Sequence, residues 1–74
     1  MTKYPYTIEP QTDGTFFVQF LDFPSGITEG DSLEEARYMA KEMITGLVEC
    51  CKDDGMALPT ASAVGNLDFV EVST

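Results

Sequence analysis

Residues 14–36 constrain the fold more than any other part of this chain. They open with a turn glycine, continue as the apolar run TFFVQFL, and are interrupted at Pro24. A short second apolar segment over residues 27–29 leads to Ser32, a favourable helix N-cap with Glu35 three residues later. The pattern therefore predicts a turn, a strand, a second and shorter strand, and the beginning of a helix in direct succession.

Alternating apolar residues predict further strands on both sides of this segment. Over residues 4–10 apolar side chains recur at alternate positions, which is the period of a half-buried strand. Pro5 has no amide hydrogen, which indicates a sheet edge or a position outside the hydrogen-bond ladder. In the second strand, over residues 15–21, both faces are largely apolar, so we expect it to be central or covered by a partner chain. Residues 67–72 predict a last strand.

One long helix is predicted from Ser32 to about Asp53, with Gly55 as its C-terminal stop. At about 100° per residue most of its acidic side chains fall opposite an apolar stripe that we expect to face the sheet. The stripe consists of Leu33, Ala36, Ala40, Met43, Ile44, Leu47 and Cys51. The element order is thus β-β-β-α-β. The simplest solution is an α+β fold, a small mixed β-sheet with the helix packed on one face.

The size of the chain indicates a single domain over residues 1–74, near the lower limit for one hydrophobic core. No apolar stretch approaches the length of a membrane span, and no signal peptide opens the chain. We therefore expect a cytoplasmic protein that does not contact a membrane. Cys50 and Cys51 are adjacent on the predicted helix, where they cannot bridge comfortably, so we expect free thiols.

The charge balance indicates the kind of partner. Thirteen acidic residues against four basic ones give a formal net charge of −9. Such a surface repels phosphate groups and attracts basic proteins, so we expect no direct binding of nucleic acid. Solubility alone explains the same charge equally simply, and both explanations stay open at this point. The candidate partner-binding residues are Asp22, Glu29 and Asp31, which we expect where strand ends and the helix start converge.

The residue types that carry catalysis are poorly represented. The chain contains no histidine, so its cysteine and serine side chains lack the usual general base. Metal-dependent nucleases use clustered carboxylates, and the nearest such group includes Asp22 and Glu34. A turn-capping role explains the first, and the positive end of the helix dipole explains the second. No glycine has the spacing of a phosphate loop. We expect no enzyme, no metal and no cofactor.

Aromatic residues exceed what one face of a small sheet against one helix would bury, with five Phe and three Tyr in the chain. A rich core is the plain explanation. The alternative explanation is that the second sheet face, or an edge strand, forms a homodimer or partner interface. We expect a homodimer, because two small chains that share a surface compensate for a marginal core.

The pattern resembles the N-terminal domain of the HicB-like antitoxins of bacterial toxin–antitoxin modules. The shared order is glycine, a V-x-F strand, Asp-x-Pro and then T-x-G-x-S/T-x-x-E-A. The matching positions are Gly14, Val18, Phe20, Asp22, Pro24, Thr28, Gly30, Ser32, Glu35 and Ala36. The likeness continues through the helix to the Leu58-Pro59 pair and, more weakly, to the last strand. It implies a partial ribonuclease-H-like fold with the same order of elements.

The resemblance also implies a function. It is that of a non-catalytic antitoxin-type domain that neutralises a small basic HicA-like toxin, an mRNA interferase, by masking its active surface. Full-length members generally carry a further DNA-binding segment, and we expect no DNA-binding domain within residues 1–74. Two alternatives remain open: an orphan homo-oligomeric HicB-like domain without a toxin, and a small ribonuclease-H-like nuclease.

Overall fold

Four strands and one helix make up the regular structure of the computed structural model, which describes all of residues 1–74. In chain order they are β1 (Thr2–Pro10), β2 (Phe16–Phe20), β3 (Ile27–Gly30), α1 (Leu33–Asp53) and β4 (Asp68–Val72). The strands form one sheet in the order β3-β2-β1-β4, and α1 packs on one of its faces. The α+β class and the order of elements predicted from the sequence are confirmed.

The direction of β4 corrects the prediction of a mixed sheet, because every neighbouring pair of strands is antiparallel. The helix runs towards the end of the sheet where β4 finishes, and there the Lys52 ammonium donates a 2.9 Å hydrogen bond to the carbonyl oxygen of Ser73. Residues 54–67 then return along the sheet, so β4 begins opposite Tyr6 and ends opposite Thr2. A short connection would have sent β4 back parallel to β1.

The turn between β1 and β2 sets the register of these two strands. Gly14 adopts a φ of +88° in this turn, a conformation that glycine tolerates without a steric penalty. The Asp13 carboxylate accepts hydrogen bonds from the hydroxyl (2.6 Å) and the backbone amide (3.0 Å) of Thr15. These bonds favour the ionised form and lower the pKa of Asp13. In the resulting register Glu9 lies opposite Phe17.

Pro5 lies where β1 changes its partner strand. The first half of β1 pairs with β4 and the second half with β2, so the strand is inside the sheet and not at its edge. The carbonyl oxygen of Pro5 accepts a 3.3 Å hydrogen bond from the amide of Leu21, just beyond the end of β2. The regular β1–β2 ladder begins at Tyr6, so Pro5 lies just outside it. This is the second of the two positions that the sequence left open.

The hydrophobic core lies between α1 and one face of the sheet. The sheet and the β2–β3 connection contribute Tyr4, Tyr6, Val18, Phe20, Phe23 and Val72. Tyr4 and Phe23 meet edge to face, with ring centroids 4.9 Å apart. Burial raises the pKa of both Tyr4 and Tyr6, because the ionised phenol would lose its hydration.

The buried residues of α1 recur at every fourth position and confirm the predicted stripe with two changes. They are Ala36, Ala40, Ile44 and Val48. Residues four apart differ in direction by about 40° around the helix axis, so the buried stripe rotates along α1. It therefore includes Val48, which was not predicted, and leaves out Leu33, which is 40% exposed. The side chains of Glu34, Glu42 and Glu49 are exposed, as expected.

The start of α1 approaches β3 more closely than any side chain would allow. A Cβ atom on Gly30 would lie 2.5 Å from the backbone nitrogen of Ala36. The helix is held at this position by its cap, because the Ser32 hydroxyl accepts a 3.0 Å hydrogen bond from the amide of Glu35. The Glu35 carboxylate in turn accepts a 2.9 Å bond from the amide of Asp31. The predicted capping interaction is confirmed, with its return bond one residue earlier than in the standard motif.

Two glycine substitutions test this close approach. Gly30→Ala should destabilise the domain by about 1–3 kcal/mol, because the new methyl group must displace the helix backbone. Gly46→Ala adds the same atom at a helix position with no neighbour within 4 Å, and should stabilise by roughly 0.5–1 kcal/mol. Urea unfolding followed by circular dichroism measures both. Equal free energies of unfolding for the two variants would show that α1 does not depend on Gly30.

Candidate functional site

The sheet has a second face that no helix covers. Side chains alternate along each strand, so the neighbours of the core residues point to this side. We call this surface the open face, and it is formed by Lys3, Pro5, Thr7, Glu9, Phe17, Gln19, Ile27, Glu29, Phe69 and Glu71. Phe69 is 52% exposed and Ile27 44% exposed. The open face therefore presents apolar and acidic groups side by side to solvent.

One row of three side chains crosses the open face at the β3 end. The registers place Glu9 opposite Phe17, and Phe17 opposite Glu29. Neighbouring strands lie about 4.8 Å apart, so the aromatic ring stands between two carboxylates whose backbones are roughly 10 Å apart. Neither carboxylate takes part in an ion pair, since the single ion pair of the structure joins Arg37 to Asp68 at 3.6 Å. We call these three residues the Glu9–Phe17–Glu29 row.

The β4 end of the open face has a different character. The Lys3 ammonium lies 5.0 Å from the centre of the Phe69 ring, within the range of a cation–π contact. Beside it is a groove of about 460 Å³, which residues 62–65 line together with Lys3, Pro5, Leu67 and Phe69. The only basic side chain of the open face is thus at the far end from the Glu9–Phe17–Glu29 row.

The three acidic residues singled out from the sequence do not come together. Glu29 lies on the open face of β3 and Asp31 follows at the end of that strand. Asp22 is in the β2–β3 connection, at the opposite end of the hairpin. Glu29 pairs with Phe17, and three residues of strand, about 10 Å, already separate Phe17 from the end of β2. The expectation that all three converge near the helix start is therefore wrong, because an antiparallel hairpin sends the two ends of β3 apart.

Asp22 anchors the long return segment between α1 and β4. One carboxylate oxygen accepts a 2.6 Å hydrogen bond from the Ser62 hydroxyl, and the other accepts a 2.9 Å bond from the Ser62 amide. Nearby, the Tyr4 hydroxyl donates a 2.8 Å bond to the carbonyl oxygen of Pro59. After burial, the negative charge of Asp22 is the largest influence that raises the pKa of Tyr4. These contacts hold residues 54–67 in the path that reverses the chain before β4.

The sequence held a partial signal for the row and none for the Asp22 contact. A two-residue turn at Asp13-Gly14 would have placed Glu9 opposite Val18, whereas the observed register is centred on Asp13 and places Glu9 opposite Phe17. Glu9 was not among the site residues predicted from the sequence. The partner of Asp22 is 40 residues away in a segment of small residues, where no local pattern points to it.

Three further features bear on metal binding, thiol chemistry and membrane insertion. No three side chains of His, Cys, Asp or Glu lie close enough together to hold a metal ion. Cys50 is exposed and Cys51 half-buried, and both are free thiols. Although α1 has 21 residues, it lacks the continuous apolar character of a helix that crosses a membrane.

Removal of the Asp22 carboxylate tests the anchor. Asp22→Ala should lower the free energy of unfolding by about 1–3 kcal/mol, because two hydrogen bonds to a charged acceptor are lost at a half-buried site. Hydrogen exchange should also quicken in β4. Asp54→Ala removes a carboxylate from an exposed site and is the matched control. If both variants melt at the same temperature, Asp22 does not hold the return segment.

Known proteins resemble this sequence over nearly the whole chain. A family model described as the HicB-like antitoxin of bacterial toxin–antitoxin systems matches residues 3–72. Antitoxin HicB 1 of Photorhabdus laumondii is 39% identical over 70 residues, which cover 95% of this chain and 44% of that protein. Antitoxin HicB of Escherichia coli strain K12 is 31% identical over 71 residues, covering 95% and 51%. The chain thus spans about half the length of the curated relatives it matches.

A solved structure shares the fold. The N-terminal domain of Burkholderia pseudomallei antitoxin HicB superposes with a TM-score of 0.80, covering 99% of this chain and 98% of that one, at 20% sequence identity. At this identity the likeness concerns the four-stranded antiparallel sheet and its helix. The family is established by the sequence, since the match to the family model extends from β1 to the end of β4. The chain belongs to the HicB-like antitoxin family of bacterial toxin–antitoxin systems.

Proposed function

We propose that this chain is the toxin-binding domain of an antitoxin, and that it neutralises a small basic HicA-like mRNA interferase by masking the active surface of that toxin. Membership of an antitoxin family supports the proposal. The observation that carries it is the open face, where carboxylates without ion-pair partners stand beside exposed apolar side chains. Such a surface suits the binding of a basic protein. The chain acts by binding and has no catalytic step.

The mechanism is steric occlusion aided by charge. A toxin that cuts mRNA needs a basic surface for phosphates, and an acidic domain seated on that surface excludes the RNA. The net charge of −9 accelerates encounter with a basic partner, and the acceleration falls as ionic strength rises. A toxin that cuts mRNA acts where mRNA is translated, so the proposed site of action of this chain is the cytoplasm.

The acidic residues at the β3 end are the proposed contact residues. Glu29 and Asp31 are exposed and outside any ion pair. The Asp22 carboxylate is occupied by Ser62, and its contribution to partner binding is to hold residues 54–67 in place. We propose that residues 1–74 act as one domain without a DNA-binding part.

Co-expression tests the proposed function. A HicA-like toxin encoded beside this chain should arrest growth when expressed alone, and co-expression of the chain should restore growth and allow the two proteins to co-purify. Ala40→Asp is the control, because it places an unpaired carboxylate at a fully buried position and unfolds the domain. A folded wild-type chain that neither restores growth nor co-purifies with the toxin rules out neutralisation and leaves an orphan homo-oligomeric domain.

We propose in addition that the chain forms a homodimer. Only 13 of the 74 residues are buried, and β3 and β4 are free edges of the sheet where a second copy can add main-chain hydrogen bonds. Sedimentation equilibrium at tens of micromolar, roughly the range in which weak dimers form, should show a species of twice 8.1 kDa. A mass of 8.1 kDa at every concentration would mean that the domain is a monomer.

A further inference from the structure

We propose that the Glu9–Phe17–Glu29 row is a receptor for a single arginine side chain of a basic protein partner. The guanidinium would lie on the Phe17 ring and donate hydrogen bonds to the carboxylates on either side. The inference rests on the proposed function for the nature of the partner, a basic toxin, and adds the surface and the kind of contact that bind it.

The row is unoccupied by any basic group of the chain itself. Of the four basic residues, Lys3 contacts Phe69, Arg37 pairs with Asp68 and Lys52 donates to Ser73. The fourth, Lys41, is on the solvent side of α1, across the sheet from the open face. Lys3 shares β1 with Glu9, but six residues of strand, about 20 Å, separate them. Two carboxylates therefore face solvent uncompensated beside a half-buried aromatic ring.

The geometry favours arginine over lysine. A guanidinium is planar, stacks on an aromatic face and carries five donors in a fixed fork. Carboxylates on both sides of one ring can each accept from that fork, whereas an ammonium is a point charge that satisfies one of them at a time. In the next row of the sheet Gln19 and Ile27 lie beside Phe17, and they supply polar and apolar contacts that exclude water from the bound side chain.

The same charges argue against a second copy of the chain as the occupant. Two open faces brought together would bring Glu9, Glu29 and Glu71 of each copy into one contact, with only Lys3 of each copy to offset them. Like charges in a desolvated contact oppose association. Homodimerisation through a free sheet edge leaves the row accessible, so both partners can be bound at once.

The first experiment measures binding of the cognate toxin to substituted chains. Glu9→Gln/Glu29→Gln should weaken affinity roughly tenfold or more, slow association, and flatten the dependence of the association rate on salt. Phe17→Leu should weaken affinity mainly through faster dissociation. The control, Glu42→Gln/Glu49→Gln, removes the same charge from exposed positions of α1 and should change affinity less than about threefold. Equal effects of the two double variants would overturn the row as the receptor while leaving toxin neutralisation intact.

The second experiment does not depend on the toxin. The isotope-labelled chain is titrated with a short peptide containing two arginines and, separately, with its lysine-matched twin. Amide shifts should change at Glu9, Phe17 and Glu29, more strongly with the arginine peptide, and the changes should be absent in Glu9→Gln/Glu29→Gln. Shifts at these residues without toxin binding would refute the antitoxin function alone. Shifts elsewhere, or equal responses to both peptides, would refute the arginine receptor.

Discussion

The close approach of α1 to β3 is the constraint on which the rest of the structure depends. Gly30 and Ala36 let the two backbones meet without intervening side chains, and Ala40 continues the same small-residue contact along the helix. With so little space between the layers, a modest number of large side chains fills the core. The helix is thereby committed to one face of the sheet, and the other face is left for whatever the protein binds.

A second contact, the pair of Asp22–Ser62 hydrogen bonds, supports the way in which the chain closes. It ties the return segment to the β2–β3 connection, on the path by which β4 enters the sheet antiparallel to β1. In that direction β4 contributes Val72 to the core and Phe69 to the open face. A carboxylate that looked like a partner-binding candidate thus has a structural contact that reaches across 40 residues.

Local chemistry made much of the fold predictable from the sequence. The Ser32 cap, the turn at Gly14 and the alternation along β1 each act within a few residues, and all are found as expected. The direction of β4 and the partner of Asp22 depend on contacts between distant segments, which no local periodicity records. The expectation that Asp22 converges with Glu29 and Asp31 was wrong for the same reason. Asp22 and Glu29 are near in sequence, but strand pairing decides which residues are neighbours in space, and it brought Glu9 to Glu29 instead.

The two sheet faces differ in charge, and this difference explains how so acidic a domain remains folded. The face under α1 bears no charged residue in its core, and the repelling carboxylates are spread over the outer surface of the helix and the open face. On the open face, two of them flank Phe17 with no cation nearby. A basic side chain placed there would contact the aromatic ring and both carboxylates together. The partner that this row suits best is therefore one that brings positive charge.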